Sequence, residues 1–217
     1  WGPGDGVIHL TGNVTVPSGS TLTIQPGTLV MAEPGPTGDG TRVIVNGVVN
    51  APGTEAEPIL FFPAAGPAAM TLPDHNVANP SSWRGFTHTG SGTSTFSHVF
   101  VTGAGNAPVE SHPRPLVFGV ESSASLSLID CVVADCGGKI VHMTGSGTIT
   151  LRRTVWSRVG YGGEFLGGSH TLLAEDCWFT RIGRAPEAND ALSRWNTSPS
   201  ASFASGARPI RVNQQSS

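Results

Sequence analysis

The chain has 217 residues, 38% apolar and only 12% charged, with 29 glycines, 17 prolines and a formal net charge of −3. That apolar content at a mean hydropathy near zero excludes a disordered chain, and the slight negative charge excludes a generic binder of nucleic acid or anionic membrane. No apolar run approaches the ~20 residues that a membrane-spanning helix needs.

In chain order, the start at Trp1 without a signal segment is expected to mark a processed or excised chain. Residues 1–10 are expected to cap the first strand edge. From Asn13 to Val30 apolar and polar residues alternate between Pro-Ser-Gly and Gln-Pro-Gly turns, and Val43–Gly53 and Pro58–Phe62 continue the pattern. Four segments, 94–105, 126–137, 149–160 and 172–183, then overlay on one template of strand, corner, strand and closing glycine. The corner residues Asp130, Arg153 and Asp176 fall 23 residues apart, and His98 lies 32 before Asp130. Repetition at this period marks stacked units, none of which can bury its apolar face alone.

The template places Leu126/Leu128, Ile149/Leu151 and Leu172/Ala174 inside before the corner. It places Cys131/Val133, Thr154/Trp156 and Cys177/Phe179 inside after it, followed by Cys136, Val159 and Ile182. A corner that breaks the two-residue period suits a left-handed residue such as Asp or Asn; Arg153 and His98 fit less well. Thr89-Gly-Ser-Gly-Thr93 and Thr144-Gly-Ser-Gly-Thr148, echoed at 167–171, are turns. Ile129, Arg152 and Glu175 share one outward column, and Asp135, Arg158 and Arg181 another, so Arg152 should meet Glu175 and Asp135 should meet Arg158. Trp178 falls outward above Val155 and Val132. The three cysteines match no metal or redox spacing and are read as small buried hydrophobes.

These features predict an all-β stack of about 23 residues per rung, with insertions on one side. One domain spans 1–217: cap 1–10, rungs 11–183, and a C-terminal cap and irregular wrap over 184–217. Within the last part, Ala185–Trp195 reads either as a closing helix or, over 190–196, as a further rung, and Pro209–Val212 is strand-like.

The wording of Val14 to Thr28, Ile44 to Thr54, Pro58 to Phe61 and Trp83-Arg-Gly85 resembles the opening rungs of secreted bacterial β-helices of the pectin-lyase-like type. The order of phrases also looks like β-helical segments of secreted proteins related to spore-coat kinases. The resemblance covers roughly residues 7–183 and implies a single-stranded right-handed parallel β-helix in an extracellular or cell-surface protein. It is specific for architecture and poor for activity, because this scaffold carries lyases, hydrolases, adhesins and inert spacers.

The insertions 63–82, 106–115 and 184–190 are expected to form a wall beside the face built by the first strand of the template. They carry Asp74, His75, Glu110, His112, Glu187 and Asp190, a set that could hold Ca²⁺, Mn²⁺ or Zn²⁺ or act as an acid/base pair. Elimination on uronic-acid polymers needs a cation and a base, for which His112, Arg158 and Arg181 are the candidates, with Lys139, His142 and Tyr161 also available. The aspartate clusters of pectate-lyase-like enzymes and the paired aspartates of polygalacturonase-like hydrolases are not recognisable. Trp83 and Trp195 flank the expected groove and are the candidate sugar-stacking residues, with Arg158 and Arg181 beside them. His98 and His170 are read as solvated. The expected function is therefore a non-catalytic extracellular module for glycan contact, adhesion or self-assembly, without cofactor unless Ca²⁺ binds the loops. The alternative is a polysaccharide lyase or glycoside hydrolase at the wall.

Overall fold

A computed structural model describes residues 1–34, 40–64, 83–105, 116–165 and 169–182, with the short strands Asn196–Thr197, Ser202–Phe203 and Arg211–Val212. The described strands pair in parallel and stack as a β-helix with three faces. Face A contains Val7–Leu10, Leu29–Ala32, Ile59–Pro63, Val99–Thr102, the first halves of Val132–Met143 and Val155–Phe165, and Trp178–Ile182. Face B contains Val14–Val16, Arg42–Val45, Gly85–His88, Leu116–Val120 and the second halves of the two long strands. Face C contains Thr21–Thr23, Val48–Pro52, Thr93–Ser97, Ser125–Ile129, Thr148–Arg152 and Thr171–Glu175. The template's first and second strands thus lie on faces C and A.

Register follows the repeat. Ser125, Thr148 and Thr171 lie one above another, as do Val132, Val155 and Trp178. The C-to-A corner is left-handed in every copy, with φ of 48° at His98, 53° at Asp130, 48° at Arg153 and 52° at Asp176. Arg and His are poor residues for that conformation, so the stack itself must hold them there. The repeated turn phrase has a steric cause: a Cβ on Gly90 or Gly145 would clash with the carbonyl oxygen of Asn46 or Ser122 in the turn one rung earlier.

The core is a set of inward columns. Ile149, Leu151, Val133 and Trp156 are buried, and so are all three cysteines. An aromatic stack fills the centre: Phe86 lies 5.3 Å from Phe118 with nearly parallel rings, and Trp156 stacks on Phe179 at 6.3 Å. Thr154, the one polar residue between Cys131 and Cys177, donates to the Cys177 sulfur and accepts the Trp156 indole N–H, so its hydroxyl is satisfied.

Several expectations change. Each rung has a third strand, face B, which the two-strand template lacks. The insertions therefore fall between faces A and B, since 65–82 joins Ile59–Pro63 to Gly85–His88 and 106–115 joins Val99–Thr102 to Leu116–Val120. The strand that follows each of these two in the chain is on face B, not on face C. The stack begins at Val7, which pairs with Leu29, so the cap is shorter than 1–10. Its described part is the turn Pro3–Asp5 and Trp1, whose amino group donates to the Thr23 carbonyl. Beyond 183, Asn196–Thr197, Ser202–Phe203 and Arg211–Val212 add strands to faces B, C and A. Residues 185–195 lie outside the described residues. His170 is buried rather than solvated.

Candidate binding faces

Face C presents the simplest surface. Its strands read Thr21-Leu-Thr23, Val48-Val-Asn50, Thr93-Ser-Thr95, Ser125-Leu-Ser127, Thr148-Ile-Thr150 and Thr171-Leu-Leu173, in register over six rungs. The middle residue of each points inward and the two flanking residues point outward, because side chains alternate along a strand. Two outward columns result, carrying hydroxyl or amide groups at ten of twelve positions and no charge at any. Groups repeat at ~4.8 Å between rungs and ~6.6 Å along each strand. The inward Ser94 hydroxyl accepts the Val49 amide at 3.0 Å, so it is used internally.

Charges border this face. Arg152 donates to Glu175 at 2.8 Å, as the column pattern requires. Arg153 grips both Asp130 oxygens at 2.6 Å and holds that carboxyl below its ordinary range, chiefly by hydrogen bonding. At the far edge of face A, Arg158 makes the expected pair with Asp135, again through both oxygens.

Face A differs in character. Its outward column contains Val7, Leu29, Phe100, Val155 and Trp178, all exposed. Face B is covered in its middle rungs, where the outward residues Thr87 and His142 are only 7% and 4% exposed, while Thr15 in its first strand is open to solvent.

The expected site residues separate accordingly. Trp83 is fully buried, stacked on Phe61 at 5.6 Å, with its indole N–H on the Thr102 carbonyl, and has no ring face for a sugar. It enters the core because the chain returns to the stack there, bridging to Ala104. Arg158 is described, and its guanidinium is committed to Asp135. Arg181 lies on Trp178–Ile182, one rung beyond Arg158, but its side chain is outside the described residues, as are those of Lys139 and Tyr161. Asp74, His75, Glu110, His112, Glu187, Asp190 and Trp195 also lie outside them. The candidate wall is therefore not assembled among the described residues, where no group of three His, Cys, Asp or Glu could hold a metal ion. No helix among the described residues is long and apolar enough to cross a membrane.

The hydroxyl columns of face C were not singled out from the sequence. The signal was available as Thr-x-Thr or Ser-x-Ser at 21–23, 93–95, 125–127 and 148–150. Compared with protein-family models, with curated proteins and with solved structures, the chain matches none.

Proposed function

We propose that this chain is a non-catalytic, extracellular or cell-surface β-helix module that lays face C along a neutral polysaccharide. The carrying observation is the pair of uncharged columns over six rungs. Hydroxyl and amide groups donate to and accept from sugar hydroxyls, each bond contributing about 0.5–1.5 kcal/mol net. Ser and Thr lose little rotamer freedom on binding. A rigid row can then make many such contacts along an extended chain at low ordering cost.

Charge favours a neutral partner. A polyuronate needs cations for its carboxylates, and Arg152, Arg153 and Arg158 are each already paired with a carboxylate. The resemblance of Val14 to Thr28 and Ile44 to Thr54 to secreted β-helices agrees with an extracellular setting, and the choice of a polysaccharide partner rests on face C alone.

Co-sedimentation with insoluble neutral polysaccharides, beside titration with neutral and uronic oligosaccharides, tests this reading. Thr95→Lys and Thr150→Lys put a charged stem in the centre of face C without entering the core. Each is expected to weaken neutral-glycan binding about tenfold, equivalent to 1.4 kcal/mol. Binding unchanged by both variants, or absent for every neutral glycan, would overturn it.

A further inference from the structure

Face A carries a second surface, independent of the hydroxyl columns. Val7, Leu29, Leu60, Phe100, Val132, Val155 and Trp178 pair in register, one above another, along seven rungs, and Arg211 follows Trp178 in the eighth. Scattered exposed hydrophobes are ordinary on a protein surface, but an unbroken apolar column is not. Phe100 remains 39% exposed and Trp178 41%. Ion pairs rim the column: Arg153 with Asp130 on one side, Arg158 with Asp135 on the other. These four rim charges are already paired within the chain, so covering the column between them strands none of the four.

We propose that face A is the interface of a two-fold dimer in which two copies of this chain lie antiparallel, with Phe100 against Phe100 of the second copy. Three observations select a second copy. First, the column repeats at ~4.8 Å over seven rungs, and another rung stack matches that repeat throughout its length. Second, the area suffices. Seven rungs by about five residues per strand give a footprint of roughly 34 by 16 Å, or ~540 Å² in flat projection. Its side-chain relief raises the accessible area toward the ~800 Å² per partner of a stable interface. Third, the sizes are self-complementary. Phe100 is fourth of the seven, so a two-fold axis at its rung sets Trp178 against Val7, Val155 against Leu29 and Val132 against Leu60. A parallel pairing would instead oppose Trp178 to Trp178 and Val7 to Val7, wedging the faces apart at one end.

Sedimentation velocity over a concentration series reads the mass. The unaltered chain is expected to pass from 22.4 kDa to twice that value. Phe100→Glu and Val155→Glu, both outward and exposed, are expected to remain monomeric and to melt like the unaltered chain at concentrations where it too is monomeric. Thr95→Lys on face C is expected to dimerise normally, which separates this surface from the glycan-contact reading. Mixing Leu29→Cys with Val155→Cys under mild oxidation is expected to give a cross-linked heterodimer, while Val155→Cys alone gives little; the three native cysteines are buried and stay out of the reaction. A chain monomeric at every concentration, a dimer indifferent to both glutamate variants, or cross-linking that favours Val155→Cys with itself would each overturn the antiparallel dimer.

Discussion

Arg153 holds Asp130, the residue 23 positions before it, through both carboxylate oxygens, and both residues sit at positive φ. Two left-handed corners stacked one rung apart thus place a long cation directly over a short anion. The backbone cost of a left-handed arginine is accepted at a position where the ion pair reaches across rungs. The pair is solvent-exposed and so weakened by salt.

This arrangement makes the sign of Arg153→Gly depend on salt. Glycine removes the left-handed strain and the ion pair together. The variant is expected to melt below the unaltered chain at low ionic strength and at or slightly above it at high ionic strength. Thermal midpoints over a salt series check this, and a deficit that stays constant across the series would contradict it.

Arg158 was a catalytic and substrate-binding candidate, yet its partner Asp135 is mostly buried, with a side chain 10% exposed against 37% for the arginine. Arg158→Ala is expected to lower stability by about 1 kcal/mol, an exposed-pair value with some addition for the sheltered carboxylate. Arg158→Lys keeps the charge, loses the two-pronged geometry and should recover part of the loss. Urea denaturation measures both.

His88 is buried beside Phe96, and desolvation pushes its imidazole down to about 4 from 6.5. Its Nε2 has no hydrogen-bond partner among the described residues. Below pH 6.5 the unfolded chain takes up a proton that the folded chain refuses, so stability falls as pH drops from about 6.5 to about 4. The loss from this residue approaches about 3 kcal/mol at the acid end. His88→Leu is expected to flatten that part of the pH–stability curve, measured by denaturant unfolding at intervals between neutral pH and pH 4.

Trp83→Ala is expected to cost about 3–5 kcal/mol, as for other buried aromatics. Trp83→Phe, which keeps the stack on Phe61 and loses the hydrogen bond to Thr102, should cost less. At temperatures where Trp83→Phe is folded, glycan binding is expected to equal that of the unaltered chain. A selective loss of binding would restore Trp83 to the site.

The repeat was legible because inward columns and corners keep strict spacing: Asp130, Arg153 and Asp176 all take the left-handed corner, and Arg152 does meet Glu175. Face B escaped for a physical reason. Its outward residues Thr87 and His142 are buried, so Gly85–His88 and Val141–Met143 lack the polar alternation of a half-exposed strand. Gly137, the closing glycine of the template, also marks the end of the second strand, although strand pairing continues past it to Met143, through the left-handed corner at Asp135 and a register shift between Cys136 and Lys139. Without the third strand, the template leads the insertions into face C, when 65–82 and 106–115 lead into the face B strands Gly85–His88 and Leu116–Val120, and it leaves Trp83 beside a groove instead of in the core. The face C hydroxyls were hidden in plain composition: Thr and Ser next to Gly-Ser-Gly turns look like turn chemistry until register aligns them.

The most direct test of a binding face as opposed to an active site measures both activities in one sample. The chain is incubated with neutral and uronic-acid glycans, with and without Ca²⁺, while bound protein and new reducing ends or unsaturated products are followed together. The account expects neutral glycan bound through face C with no new ends under any condition. Turnover that disappears in His112→Ala would contradict it and establish the insertions as the working site. Turnover that disappears in Arg181→Ala would contradict it in favour of catalysis at the edge of face A.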